Sequence, residues 1–241
     1  MGNETGRRVF RCRFLPILLV LSGLIVYLNS FAGVFIFDDT VHILESERIR
    51  HLWPPWDLLA RRRPTLELSL AVNYAIGGLG VWGYHAFNLA VHVLAGLTLF
   101  GIARRTLMHE RCRDRLGQAS HWLALTIALI WLVHPLQTQS VTYIIQRSES
   151  LMGLFYLLTL YCVIRGAESP LRYRWYLAAV IACALGMGSK AVMVTAPLVV
   201  LLYDRVFLSP SFSEAFRKRW GLYSGLAANW GILAACGVVQ G

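Results

Sequence analysis

FLPILLVLSGLIVYLNSFAGVFIFDD, residues 14–39, decides the fold, because the run from Phe14 to Phe37 carries no charge and two adjacent acids, Asp38 and Asp39, end it. At about 1.5 Å per residue, a helix of that length exceeds the roughly 30 Å hydrocarbon core of a bilayer. Arg7, Arg8, Arg11 and Arg13 precede the run. The apolar part is too long for a secretory signal peptide and no clear A-x-A cleavage site follows, so it reads as a retained membrane anchor.

The rest of the chain agrees. Of 241 residues, 56% are hydrophobic and 15% charged, whereas soluble domains carry about 25% charged residues, which argues against a soluble enzyme. Five cysteines form no C-x-x-C pair, so neither a zinc ribbon nor a disulfide scaffold is indicated. Further spans are expected near residues 84–103, 121–134, 149–164, 175–189, 191–203 and 220–240, giving about seven in one all-α polytopic bundle. Gly77, Gly78, Gly80 and Gly83 divide the uncharged stretch Leu68 to Ala103. Residues 66–76 then form a short interfacial helix within a first outer loop, 38–83.

Charge tests this count, since Lys and Arg collect on the cytoplasmic side and each crossing switches sides. With the N terminus inside, 16 of the 23 basic residues fall inside, and the net charge of +10 is topology rather than a nucleic-acid footprint. One long span over Trp175 to Tyr203 would strand a basic cluster outside, so two crossings are expected there. Twenty-one arginines against two lysines suggest a GC-rich genome and a bacterial cytoplasmic membrane in preference to the endoplasmic reticulum.

Polar residues concentrate at the outer ends of the spans. Adjacent acids beside hydrocarbon are costly and point to function, the alternative being two solvated acids that stop a helix. The Trp53-Pro54-Pro55-Trp56 turn suits an interfacial belt, and Arg61, Arg62 and Arg63 follow it. His85, Asn88 and His92 share one helical face. That stripe reads equally well as interhelical hydrogen bonding, and with no third ligand at short spacing it is weak evidence for a metal. After His134-Pro135, the segment up to Gln146-Arg147-Ser148-Glu149 is unusually polar for a membrane boundary. Arg147 and Lys190 lie at span ends where a cation reaches a lipid phosphate, Arg as a bidentate fork and Lys as a point charge. The alternative is a local Arg147–Glu149 pair or a snorkelling Lys190.

Six motifs in order carry a resemblance over residues 31–205. They are Phe37-Asp38-Asp39; Arg63-Pro64-Thr65 with Leu68-Ser69 and Asn73-Tyr74; Gly83-Tyr84-His85 with Asn88 and His92; His134-Pro135-Leu136-Gln137-Thr138; Gln146-Arg147-Ser148-Glu149; and Ser189-Lys190 leading to Pro197 and Tyr203-Asp204. The sequence resembles the membrane part of GT-C glycosyltransferases, specifically the transmembrane and tetratricopeptide-repeat O-mannosyltransferases and their bacterial relatives. The resemblance implies transfer of a mannose-like hexose from a polyprenyl-phosphate donor to an acceptor hydroxyl, on protein or glycan, at the non-cytoplasmic face.

Carried over, Asp39 or Asp38 is the general base, with Asp39 preferred. Arg147 and Lys190 stabilise the departing phosphate, helped by His134 and His85, and Arg63, Tyr84, Asn88, Gln146 and Glu149 line the substrate pocket. The need for a divalent ion, magnesium or manganese, stays open. The chain has Ser189-Lys190-Ala191 where the family pattern reads Ser-Lys-Glu, and Thr138-Gln139-Ser140 where it reads Thr-Glu-Ala. No 34-residue repeat is visible, so a tetratricopeptide-repeat partner or a missing C-terminal half is expected. The competing function is a non-catalytic or degenerate membrane protein, either a lipid-phosphate carrier or an assembly partner.

Overall fold

The computed structural model of the protein describes residues 14–54, 56–59 and 62–238. The basic stretch before Phe14, Pro55 of the Trp-Pro-Pro-Trp turn, Arg61 and the end of the expected seventh span lie outside them. All regular structure among the described residues is helical. In chain order the main helices are α1 (Leu15–Tyr27), α2 (Pro64–Gly77), α3 (Val81–Met108), α4 (Glu110–Leu116), α5 (Ser120–Leu132), α6 (Thr138–Thr142), α7 (Arg147–Glu168), α8 (Arg172–Met187), α9 (Ala196–Tyr203), α10 (Phe212–Ala228) and α11 (Trp230–Val238). Four stretches are long and apolar enough to cross a membrane: Leu15–Ala32, Val81–Met108, Ile144–Glu168 and Ala191–Leu208.

The elements begin and end where local chemistry dictates. Pro16 and Pro64 occupy the first turns of α1 and α2, where the missing N–H costs nothing. Gly78 takes φ 59° after α2, a left-handed value glycine adopts without a Cβ clash. Asn73 Nδ2 donates to the Gly83 carbonyl at 3.1 Å and Tyr84 Oη to the Gly78 carbonyl at 3.1 Å, closing the α2–α3 turn. Pro135 ends the helix begun by α5, and His134 caps the 3-10 turn that follows, its Nδ1 accepting from the Leu136 N–H at 3.2 Å.

The 28-residue α3 is the central element. On one side it packs with α1 and α5 around Leu19, Phe100, Ala128 and Leu132. A methyl group at Gly96 would lie 2.8 Å from Leu132 Cδ1, so glycine is what lets α3 and α5 approach this closely. On its other side α3 meets α7 through Val91, Ala95, Leu151 and Leu154. Helices α7 to α10 then share a separate core of Val163, Cys183, Met193, Val200 and Leu226. Between α8 and α9 the chain breaks at Gly188-Ser189-Lys190, and Thr65 docks there, its N–H donating to the Gly188 carbonyl at 3.1 Å.

The segment between α1 and α3 packs a core of its own against the bundle, in which Ile43, Ile49, Leu58, Leu66 and Leu70 gather against Tyr84, Ile144 and Ile145. It is helical in short pieces, Thr40–Leu44, Glu47–Arg50 and Trp56–Leu59, before α2. At the far end of the bundle Asp204 is fully buried. Its carboxylate accepts from Arg219 at 2.9 and 3.0 Å, from Ser209 Oγ at 2.8 Å and from Tyr223 Oη at 2.6 Å.

Candidate active site

The two adjacent acids are held in opposite states. Phe37, just before them, has φ 47°, a left-handed conformation that costs a bulky residue free energy and is held by the contacts of the turn. The turn is closed by the Asp39 N–H on the Ile36 carbonyl at 2.9 Å and the Thr40 N–H on the Phe37 carbonyl at 3.1 Å. It sends the Asp39 side chain inward and leaves Asp38 exposed.

Asp39 is 0% exposed. Its Oδ2 accepts from the Ile36 N–H at 3.1 Å and its Oδ1 from the Ile145 N–H at 2.8 Å. Burial raises its carboxyl above the usual carboxylate range and the charge of Asp38 adds to that, while the two backbone N–H groups oppose it. A raised carboxyl suits a base in principle, yet a base must reach the proton it removes, and both oxygens of Asp39 are already engaged in the interior. Asp38 is tied to Tyr143, its N–H donating to Tyr143 Oη at 3.0 Å and its side chain interacting with the same hydroxyl. The Phe37 and Tyr143 rings meet edge to face with centroids 6.4 Å apart.

Arg147, read from the sequence as a phosphate ligand, is enclosed instead. It is 0% exposed. Nε donates to Asn88 Oδ1 at 2.6 Å, and the two terminal nitrogens donate to the carbonyls of Ser69 and Tyr84 at 3.1 Å each. The guanidinium also lies 4.3 Å from the Phe87 ring centroid. Asn88 in turn donates to the carbonyls of Val141 and Ile144, both at 3.3 Å. Tyr84, Asn88, Arg147 and Asp39 thus make one buried polar core that ties α2, α3, the turn at residues 37–40 and α7 together, and the arginine reaches no solvent. The local Arg147–Glu149 pair is not formed, because Glu149 binds Lys190.

That Glu149–Lys190 ion pair is partly exposed and sits where α7 begins beside the α8–α9 break. Burial, followed by the nearby charge of Arg63, pulls the Lys190 ammonium below its ordinary value. Glu149 and Gln146 line a cavity of about 480 Å³ with His92, Gln137, Gln139 and Ser150, enclosed by α3, α5, α6 and α7. His92 Nε2 is 2.8 Å from the Leu132 carbonyl, and its ring stacks on Trp131 at 4.9 Å. His134 is exposed. His85 is 2% exposed with neither ring nitrogen hydrogen-bonded, Gly33 packing against Nε2.

Of the residues singled out by sequence, Lys190, Glu149 and Arg63 come together beside the α8–α9 break and Gln146 opens onto the cavity with Glu149. Tyr84, Asn88 and Arg147 form its buried support. Tyr143 and the cavity residues Gln137, Gln139 and Ser150 were not singled out. Their signal was the polar density after His134-Pro135, which marks the segment without ranking its members. Among the described residues no three His, Cys, Asp or Glu side chains converge, so they make no metal centre of their own.

Comparison with known proteins identifies the relatives. Protein O-mannosyl-transferase tmtc2 of Xenopus laevis is 27% identical over 241 residues, covering 88% of this chain and 27% of its own length. Human protein O-mannosyl-transferase TMTC2 is 28% identical over 201 residues, covering 76% and 23%, and Drosophila melanogaster Tmtc2 is 28% identical over 202, covering 75% and 20%. The chain therefore spans about a quarter of the length of these relatives. No solved structure matches it. The family of dolichyl-phosphate-mannose-protein mannosyltransferases matches residues 63–235, and the chain belongs to that family.

Proposed function

We propose that the chain is a membrane glycosyltransferase that moves a mannose-like hexose from a polyprenyl-phosphate donor to a hydroxyl on an acceptor protein, with Asp38 as general base. One observation carries this assignment within the pair of acids. Asp39 is consumed by the Ile36 and Ile145 N–H groups, whereas Asp38 is exposed on a turn pinned by Tyr143. In the reaction the acceptor oxygen bonds to the anomeric carbon as the bond from that carbon to the phosphate oxygen breaks. The acceptor proton passes to Asp38 and the bonding electron pair leaves with the polyprenyl phosphate. Lys190 stabilises the charge growing on that phosphate, with Glu149 holding its ammonium in place and Arg63 adding positive potential. Arg147 positions α7 and the Asp39 turn without touching the donor. One base and no covalent intermediate make a single displacement, which inverts the anomeric centre.

The Asp38 end then faces the non-cytoplasmic side, with the N terminus cytoplasmic and seven crossings, because the arginines cluster at the opposite end. The arginine-rich composition supports a bacterial cytoplasmic membrane, and a tetratricopeptide-repeat partner would present the acceptor.

The test is transfer from radiolabelled polyprenyl-phosphate-mannose in membranes, comparing the full chain with Asp38→Asn and Asp39→Asn. Asp38→Asn should abolish transfer in a folded, inserted protein, while Asp39→Asn should lower thermal stability. Full activity in Asp38→Asn would remove the base assignment. No transfer by the folded parent chain would leave the carrier or assembly-partner reading.

A further inference from the structure

The strongest unassigned feature lies at the other end of the bundle. From His85 to Arg105 along α3 is about 30 Å, the thickness of the hydrocarbon core. At that depth a cavity of about 770 Å³ opens where α3, α7 and the Ala191–Leu208 stretch all end. Arg104, Arg105, Arg111 and Arg219 line it, with Glu110 and Glu168 as its acids and Met108 and Phe207 as apolar wall.

The four arginines are not equivalent. Arg219 is spent on Asp204, and Arg105 is paired with Glu168, although its Nε is buried without a partner. Arg104 and Arg111 form no ion pair among the described residues, and Arg104 is held only loosely over the Phe100 ring, 6.0 Å from its centroid. Two guanidinium groups with no ion pair among the described residues thus border a cavity that is large enough for a polar headgroup and is walled in part by Met108 and Phe207.

We infer that this cavity binds the headgroup of an anionic phospholipid, its phosphate held by Arg104 and Arg111 and its acyl chains lying along the ends of α3 and the Ala191–Leu208 stretch. The location selects a lipid over a soluble anion, because the cavity sits at headgroup depth between helix ends, where basic pockets gather anionic lipid. The inference does not depend on the proposed catalytic residues, which lie at the opposite end.

Native mass spectrometry of the full chain in detergent, titrated with phosphatidylglycerol or phosphatidylcholine, tests it. One phosphatidylglycerol should bind in preference to phosphatidylcholine. Each arginine should account for about a fivefold factor in affinity, so Arg104→Gln with Arg111→Gln should weaken binding roughly 25-fold. The double Arg→Lys variant should restore most of it, which separates loss of charge from loss of fold. Arg174→Gln, an exposed arginine outside the cavity, should bind like the parent. Equal binding of the two lipids, parent-like affinity in the double Gln variant, or displacement of phosphatidylglycerol by millimolar inorganic phosphate would overturn the assignment.

Discussion

Asp38 and Asp39 show how a single backbone turn separates two identical side chains. The sequence places both acids at the membrane surface and prefers Asp39. The structure fills both oxygens of Asp39, because Phe37 at φ 47° turns it toward the Ile36 and Ile145 N–H groups. No side-chain pattern records a backbone donor, which is why the different burial of the two acids was not legible. The same holds for Arg147, whose partners include the carbonyls of Ser69 and Tyr84. Lys190, read from the sequence as a cation at a span end, sits at the α8–α9 break, and its environment yields a pH prediction. Burial and then Arg63 lower its pKa from 10.5, so the ammonium is intact below the lowered value and is lost as pH rises through it. Transfer activity should fall on the alkaline side earlier than an ordinary lysine would allow. Lys190→Arg should move that limb to higher pH, and Lys190→Met should cost about 100-fold in rate, both read from transfer rate against pH in vesicles. For His85, whose buried nitrogens have no partner, His85→Leu should leave the melting temperature unchanged or raise it, since removing an unsatisfied polar group relieves its desolvation cost. A loss of transfer without a loss of stability would show that the ring meets the donor.

Many helix boundaries were readable because uncharged runs, glycines and prolines mark them directly, as at Pro64, Gly78 and Pro135, whereas the expected span 220–240 divides at Asn229 between α10 and α11. Helix contacts were less so, because a glycine in an apolar run does not name its neighbour. The α3–α5 contact depends on Gly96 lying against Leu132. Gly96→Val should overpack that seam and destabilise the chain by about 2 kcal/mol. Leu132→Ala in the same chain should recover part of the loss, a coupling that thermal unfolding of the four proteins would expose. The Ala191–Leu208 stretch is anchored at its end by Asp204. Removing that carboxylate leaves Arg219 at a nearly buried position with its ionic partner gone. Asp204→Ala should therefore cost about 3 kcal/mol, measured by thermal unfolding in detergent, with little direct effect on the chemistry at the Asp38 end.

For the whole molecule, the apolar runs and the one-sided distribution of arginines make the all-α membrane bundle legible from sequence. The apolar core under residues 38–83 was not, since it is assembled from Ile43, Leu66, Tyr84 and Ile144, distant in the chain and joined only by packing. The two ends of the bundle should lie on opposite sides of the membrane. Single cysteines placed at Asp57 and at Arg174 in a cysteine-free background should react with an impermeant maleimide from opposite faces, and labelling of both from one face would overturn the crossing pattern. The unequal lengths of the central helices have a consequence for the surrounding bilayer. Helix α3, with 28 residues, is about 42 Å long, and α5, with 13, is about 20 Å. The part of α3 from His85 to Arg105 already matches a core of roughly 30 Å, so its ends project beyond it, whereas α5 falls short and leaves a wall beside it that draws the leaflets inward. This mismatch predicts a locally thinned bilayer beside the polar cavity between α3 and α5, where lipid tails meet polar side chains closer to the midplane than elsewhere around the bundle.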